Sequence, residues 1–165
     1  EAVFIALTLY FGDFAFFPDF AGHLMMQRPN DGSHTGYLLD VVQADIIISF
    51  EQLESARWLP YLKKGGVLIS STQRIDPMPV IMGKAVYPEE ILRKIEDKSI
   101  RLVSLDALSL ALEAGTAKCA NIVLLGAAVP FLGIDKETWI ETIKSTVPPK
   151  TVETNLKAFE LGYGN

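Results

Sequence analysis

The sequence contains a single cysteine, Cys119, among its 165 residues. One thiol cannot form an internal disulfide, and it cannot build an iron–sulfur or zinc site alone, because each of these needs several ligands. Basic residues are also few and scattered, since 15 Lys and Arg stand against 20 Asp and Glu for a net charge of −5. This balance argues against nucleic-acid binding, which requires clustered positive charge.

Long hydrophobic runs are absent as well. The longest, residues 120–131, contains Asn121, Gly126 and Pro130 and is too short to span a bilayer. Residues 2–7 are apolar but lack the basic start and small-residue cleavage site of a secretory signal. We therefore expect a cytoplasmic chain without a membrane segment, in which residues 2–7 form a buried first strand.

The length of 165 residues suits a single domain, 1–165, with a substantial core. Apolar residues make up 49% of the chain, and the mean hydropathy is +0.25. Both values are high for a small domain that stands free in solution. They indicate that a partner covers part of the apolar surface.

A strand, a helix and a second strand follow one another in the middle of the chain. Residues 44–49 form a β-branched run typical of a strand buried on both faces. Residues 51–62 carry acidic residues first and apolar residues at helical spacing, and Lys63-Lys64 and Gly65-Gly66 end this helix. Residues 66–70 are the next strand, so this βαβ unit predicts a parallel sheet.

The remaining elements extend this α/β pattern. The fold class that we predict is a mainly parallel open sheet with helices on both faces and a helical C-terminal part. The predicted elements are an extended segment at 77–83, a helix that begins at Pro88, a strand at 100–104, a helix at 106–113 capped by Asp106, an apolar helix at 121–132, a helix capped by Asp135, and a last helix with Val152, Leu156 and Phe159 in one stripe.

The segment from His23 to Ser33 is the first candidate site. It collects His23, Gln27 and Arg28 beside a small-residue turn at Gly32 and Ser33. The planar fork of Arg28 suits carboxylates and phosphates. Three interpretations stay open: substrate or CoA binding, contact with a partner subunit, and a structural turn.

The second candidate site is Ser70-Ser71-Thr72-Gln73, at the carboxyl end of a predicted parallel strand. Ligands usually bind at that edge of open α/β sheets. Hydroxyl groups there can bind phosphate, but they can equally cap the loop by bonding to its own backbone.

Other polar residues favour structural roles. Asn121 and Asn155 stand on apolar helix faces and are expected to tie each helix to a neighbouring loop or backbone, the alternative being a direct contact with a ligand. Glu51 and Glu54 fit a solvated first helical turn better than an acid–base pair. Cys119 fits a packed thiol. No role is assigned to His34, no metal site is expected, and no catalytic residue is identified.

Several motifs together resemble a known family. They are Ala44 to Gly66, Ser71-Thr72-Gln73, Tyr87-Pro88, Asn121 to Gly126 and Asn155 to Gly162, with the loop positions His23, Met26, Gln27, Arg28, Gly32 and Ser33. In these positions the chain resembles the gamma-type domain of the 2-oxoacid:ferredoxin oxidoreductases, most closely the beta subunits of the indolepyruvate ferredoxin oxidoreductases. Residues 1–40 depart from that pattern, because only Gly12 and Gly22 stand where the family has a glycine-rich turn.

The resemblance implies a companion subunit of an enzyme that decarboxylates aryl 2-oxoacids to acyl-CoA and passes electrons to ferredoxin. Thiamine diphosphate, Mg²⁺ and iron–sulfur clusters are then expected on a larger partner subunit, and none on this chain alone. The alternatives are an assembly subunit without active-site contacts and a free-standing nucleotide-binding α/β module. The sequence does not support the nucleotide-binding alternative, because it has neither a G-x-G-x-x-G motif nor a P-loop.

The Arg28 hypothesis predicts that Arg28→Ala weakens complex assembly or raises the Michaelis constant for the oxoacid or CoA, because alanine removes the donor fork. Kinetics and gel filtration of the complex measure both effects. Unchanged assembly together with unchanged constants would contradict the hypothesis.

Overall fold

Four parallel strands form one sheet in the computed structural model, which describes the backbone of residues 5–8 and residues 44–96, 98 and 100–165. The strands lie side by side in chain order. They are β1 (Ile5–Thr8), β2 (Ala44–Ser49), β3 (Leu62–Ser71) and β4 (Arg101–Leu105). The predicted parallel sheet is confirmed, and so is a first strand near the start of the chain.

Seven α-helices connect or follow these strands within the described residues. They are α1 (Gln52–Trp58), α2 (Met78–Ile81), α3 (Ile91–Glu96), α4 (Ala107–Ala114), α5 (Ala120–Ala128), α6 (Lys136–Thr146) and α7 (Val152–Tyr163). Asp106 and Asp135 cap α4 and α6 as predicted, because each carboxyl group accepts the backbone N–H three residues on. In this part of the chain the helices are all too short or too polar to cross a membrane.

Helices cover both faces of the sheet, as the sequence predicts. Side chains alternate along each strand, so Ile46 and Ile48 point to one face and Ile47 points to the other. The face with Ile46 packs against α4, α5, α6 and α7, and the face with Ile47 packs against α1 and α3. The continuous apolar strands are therefore buried on both sides.

Two predicted boundaries between 51 and 70 are wrong. Helix α1 ends at Trp58 and a 3-10 turn covers Leu59–Tyr61, because Pro60 cannot donate the N–H that an α-helix needs inside it. Strand β3 begins at Leu62, so Lys63 and the two glycines lie in the strand and do not end the helix. Lys63 forms an ion pair with Asp45 of the neighbouring strand β2.

Two predictions in the segment before β4 are also wrong. Residues 77–83 contain the short helix α2 and are not extended, because Pro79 stands in the first helical turn, where a missing N–H costs nothing. Helix α3 begins at Ile91 and not at Pro88, since Glu90 has a φ of 56°, outside the helical region.

Two glycines allow α5 and α7 to approach each other closely. A Cβ atom on Gly162 would come within 1.9 Å of the Val123 carbonyl oxygen, and one on Gly126 within 2.3 Å of the Phe159 carbonyl oxygen. Both obstacles are backbone atoms, which cannot rotate away. These positions therefore fix how the C-terminal helix packs.

We predict that Gly162→Ala lowers the free energy of unfolding by about 3 kcal/mol, because the added methyl group overpacks a helix contact made by backbone. Urea denaturation measures the loss. Gly164→Ala is the matched control, since its Cβ would meet its nearest atom at 3.5 Å. Equal stability of the two variants would contradict the close approach.

Candidate functional site

Polar side chains gather at the carboxyl ends of β2 and β3. Glu51 follows β2 and is only 3% exposed, although carboxylic acids are rarely buried. Residues 72–77 follow β3 at the same edge, because the two strands are parallel neighbours. In open α/β sheets this edge is the usual ligand-binding position.

The carboxyl group of Glu51 accepts hydrogen bonds from three separate segments. The Tyr87 hydroxyl and the Ile75 N–H donate to its Oε1, the latter at 3.3 Å, and the Glu54 N–H donates to its Oε2 at 3.0 Å. We call these four residues the Glu51 cluster. The predicted solvated position of Glu51 is wrong, because it caps α1 from inside the protein.

Buried serines bond to the backbone carbonyl group of Glu51 and to each other. Ser49 and Ser55 donate to the Glu51 carbonyl oxygen at 2.8 and 3.2 Å. The Ser55 and Ser70 hydroxyl oxygens lie 2.6 Å apart, and Ser70 donates to the Ser71 carbonyl oxygen at 3.0 Å. These hydroxyl groups hold the ends of β2 and β3 and the start of α1 together.

The loop after β3 is bound to the start of α1. The Gln52 N–H donates to the Gln73 carbonyl oxygen at 3.1 Å, and the Gln52 side-chain amide donates to the Thr72 carbonyl oxygen at 2.6 Å. The Ser71 hydroxyl accepts the Gln73 N–H at 3.3 Å, which is the loop-capping bond that the sequence suggests as one alternative. Thr72 is exposed and Gln73 is half-buried, so both side chains reach the surface.

Arg74 lies between two anchored residues of this loop. Its guanidinium stands 4.3 Å from the centre of the Tyr87 ring, and its Nε donates to Asp76 at 2.7 Å. The Arg74 side chain is 52% exposed. A shallow cleft lies between this loop and α1, and it is lined by Glu51, Leu53, Glu54, Arg57, Ile75 and Pro77.

This edge can hold a polar or anionic ligand through the Thr72 hydroxyl, the Gln73 amide and the Arg74 guanidinium. The described residues bring together no group of three or more His, Cys, Asp or Glu that could hold a metal ion. The hydroxyl, amide and guanidinium groups at this edge suit the binding and positioning of a ligand.

The structure brings Ser71, Thr72 and Gln73 together with the Glu51 cluster. His23, Gln27, Arg28, Gly32 and Ser33 lie outside the described residues, as does His34, so their roles stay predictions. Sequence reasoning missed the cluster itself, because Tyr87 is 36 positions from Glu51. A buried acid at a helix N-cap carries no local signal that separates it from an exposed one.

Asn155 and Asn121 differ in their hydrogen bonds. Asn155 donates from Nδ2 to the Thr151 carbonyl oxygen at 2.8 Å, and its Oδ1 lies 3.8 Å from the Cys119 Sγ, so it contacts the turn before α5. The Oδ1 of Asn121 is buried without a hydrogen-bond partner in the described part of the chain, and its structural role stays a prediction. Burial raises the pKa of the Cys119 thiol, which fits a packed side chain.

A parallel sheet with helices on both faces defines an open α/β domain, a class in which ligands usually bind at the carboxyl ends of the strands. The family model for pyruvate ferredoxin/flavodoxin oxidoreductase matches residues 32–164. The chain belongs to this family.

Sequence comparison with known proteins supports this family. The chain is 42% identical over 132 residues to indolepyruvate oxidoreductase subunit IorB of Pyrococcus horikoshii, which covers 77% of the chain and 65% of the relative. It is 33% identical to 2-oxoglutarate synthase subunit KorC of Methanothermobacter thermautotrophicus, over 74% of the chain and 60% of the relative. The chain thus spans just under two thirds of the length of these relatives.

A solved structure has the same fold. It is the gamma subunit of a keto/oxoacid ferredoxin oxidoreductase from Geobacter sulfurreducens, with a TM-score of 0.56 and 26% sequence identity. The superposition covers 75% of this chain and 62% of that subunit. The predicted fold class and the resemblance are confirmed together.

We predict that Tyr87→Phe lowers the free energy of unfolding by about 1–3 kcal/mol, because it removes a buried hydrogen bond to a carboxyl group. Burial, with the bond to Glu51, raises the pKa of Tyr87 above its ordinary value of 10.0. The unfolded chain therefore loses this proton first, so wild-type stability falls as the pH rises above 10.

Urea denaturation between pH 7 and 11 tests both statements. The Phe variant should lose less stability at alkaline pH than the wild type does. Tyr61→Phe is the control, because Tyr61 is 37% exposed. A Tyr87→Phe variant as stable as this control would argue against the Glu51 cluster.

Proposed function

We propose that the chain is the companion subunit of a 2-oxoacid:ferredoxin oxidoreductase, and that the complex is of the indolepyruvate type. The difference in identity carries the proposal: 42% to an indolepyruvate oxidoreductase subunit against 33% to a 2-oxoglutarate synthase subunit. The whole complex converts an aryl 2-oxoacid and CoA to an acyl-CoA and CO₂, and two electrons pass to ferredoxin.

The chemistry of decarboxylation is supplied by thiamine diphosphate with Mg²⁺, and electron transfer by iron–sulfur clusters, all held by a larger partner subunit. One cysteine cannot supply the thiolates of a cluster. What this chain supplies is a rigid polar edge, and that edge is suited to orienting a substrate bound at the boundary between the two subunits.

The carboxyl edge of the sheet is the part that we assign to ligand binding. Thr72 and Gln73 present a hydroxyl and an amide to solvent, and the buried Ser71 hydroxyl fixes their loop. Arg74 adds a half-exposed guanidinium at the same edge. These groups suit the phosphates of CoA or the carboxylate of the oxoacid, and the 23–33 loop, with Arg28, is proposed to act with them.

The substrate class is tested by the activity of the reconstituted complex. The expected order is indolepyruvate and phenylpyruvate well above pyruvate and 2-oxoglutarate, with ferredoxin reduction as the readout. A preference for either simple acid would overturn the indolepyruvate assignment. Absence of any activity beyond that of the larger subunit alone would overturn the companion role.

The ligand edge is tested by Gln73→Ala in the same complex. We expect the Michaelis constant for CoA or for the oxoacid to rise about tenfold, since a hydrogen bond to a charged group contributes about 1.5 kcal/mol or more. Ser145→Ala, on the exposed surface of α6, is the matched control. Michaelis constants equal to those of the Ser145→Ala complex would show that Gln73 has only a structural role in its loop.

A further inference from the structure

The Arg74 side chain is held from two directions, although it is 52% exposed. Its guanidinium carbon stands 4.3 Å from the centre of the Tyr87 ring, and its Nε donates to Asp76 at 2.7 Å. Its two terminal nitrogens, Nη1 and Nη2, form no hydrogen bond with the residues that the structure describes. The ring and Asp76 therefore fix the plane of the guanidinium, while its terminal N–H groups remain for a ligand.

The ring that supports the guanidinium is itself anchored. Tyr87 is 4% exposed, and its hydroxyl donates to the Glu51 carboxyl group. The same carboxyl group accepts the N–H of Ile75, the residue that follows Arg74. The ring cannot move away without the loss of a buried hydrogen bond. Glu51 therefore fixes both the ring under Arg74 and the backbone beside it.

Two acids reduce the positive charge around this guanidinium. Asp76 and Glu89 both act on Arg74 electrostatically, and Asp76 also accepts a hydrogen bond from it. Net charge therefore contributes little to the binding of an anion here, and the direction of the free N–H groups matters more. A fixed orientation also avoids the rotamer entropy that a free arginine side chain loses when it binds a ligand.

We propose that Tyr87, fixed in turn by Glu51, is a positioning residue for Arg74, and that the positioned guanidinium binds the anionic group of a ligand at this edge of the sheet. This inference rests on the proposed function and adds to it the residues that orient the binding group. A 2-oxoacid carboxylate and a CoA phosphate both present paired oxygen atoms to two N–H groups. Separate Michaelis constants for the oxoacid and for CoA distinguish these two sources.

The first test replaces Arg74 in the reconstituted complex. Arg74→Ala should raise the Michaelis constant for the oxoacid or for CoA about tenfold, because it removes hydrogen bonds to a charged group. The kcat should stay within about twofold, as expected for a residue that contributes to binding alone. Arg74→Lys should leave most of the increase in place, since lysine keeps the charge and lacks the planar fork. Arg93→Ala is the matched control, because Arg93 also pairs with an acid, Glu90, and is 72% exposed.

The second test links Tyr87 to Arg74 by a double-mutant cycle. Tyr87→Phe should raise the same Michaelis constant about threefold when Arg74 is present, because the ring loses its anchor, and should have no effect in the Arg74→Ala background. A merely structural role of Tyr87 would give the same change in both backgrounds. Tyr61→Phe is the control, since Tyr61 is 37% exposed.

Four results would each overturn the proposal. Michaelis constants of Arg74→Ala equal to those of Arg93→Ala, or full rescue by Arg74→Lys, would remove the positioned guanidinium. Equal effects of Tyr87→Phe in both backgrounds would remove Tyr87 as its positioning residue. In these three cases an active wild-type complex keeps the proposed function, whereas an inactive one removes both. The Arg74 variants change an exposed side chain, so they decide the matter even where Tyr87→Phe fails to assemble.

Discussion

The hydrogen bonds to the buried carboxyl group of Glu51 hold the carboxyl edge of the sheet together. Glu51 is only 3% exposed, and a buried carboxyl group is costly unless donors meet its oxygens. Here the donors come from the first turn of α1, from the loop after β3 and from Tyr87. Loss of the carboxyl group would leave those three donors without an acceptor, and the three segments would lose their common contact.

The same carboxyl group anchors the connection between β3 and α3 at two points. The loop with Thr72 and Gln73 begins this connection, and helix α2 lies in its middle. Glu51 accepts hydrogen bonds from this connection at Ile75 and again at Tyr87, on either side of α2. One buried carboxyl group therefore holds both ends of this connection, and its loss should loosen the loop that carries Thr72 and Gln73.

The sheet and the C-terminal helices could be predicted because their signals are local. The β-branched run 44–49 is a strand buried on both faces, and Asp106 and Asp135 cap helices through the N–H groups three residues on. Helix α2 was not predictable in the same way, since prolines at 77 and 79 fit an extended segment and a first helical turn equally well. The same ambiguity applies to Pro88.

The candidate site was only half predictable from the sequence. Ser71 to Gln73 could be placed at a strand end because they directly follow the predicted strand at 66–70. The structure agrees with this position. The burial of Glu51 depends on Tyr87, which folds back from far along the chain, so local rules place Glu51 in solvent instead. Residues 23–33 lie outside the described part of the chain, and their role stays a prediction.

Amide hydrogen exchange of the Ile75 and Glu54 N–H groups, measured by NMR in the wild type and in Glu51→Ala, tests the central role of Glu51 most directly. We expect both amides to be protected in the wild type and to exchange fast in the variant, while the amides of Leu68 and Ile69 in β3 stay protected. Fast exchange of the Ile75 amide already in the wild type, or equal protection in both proteins, would contradict the account.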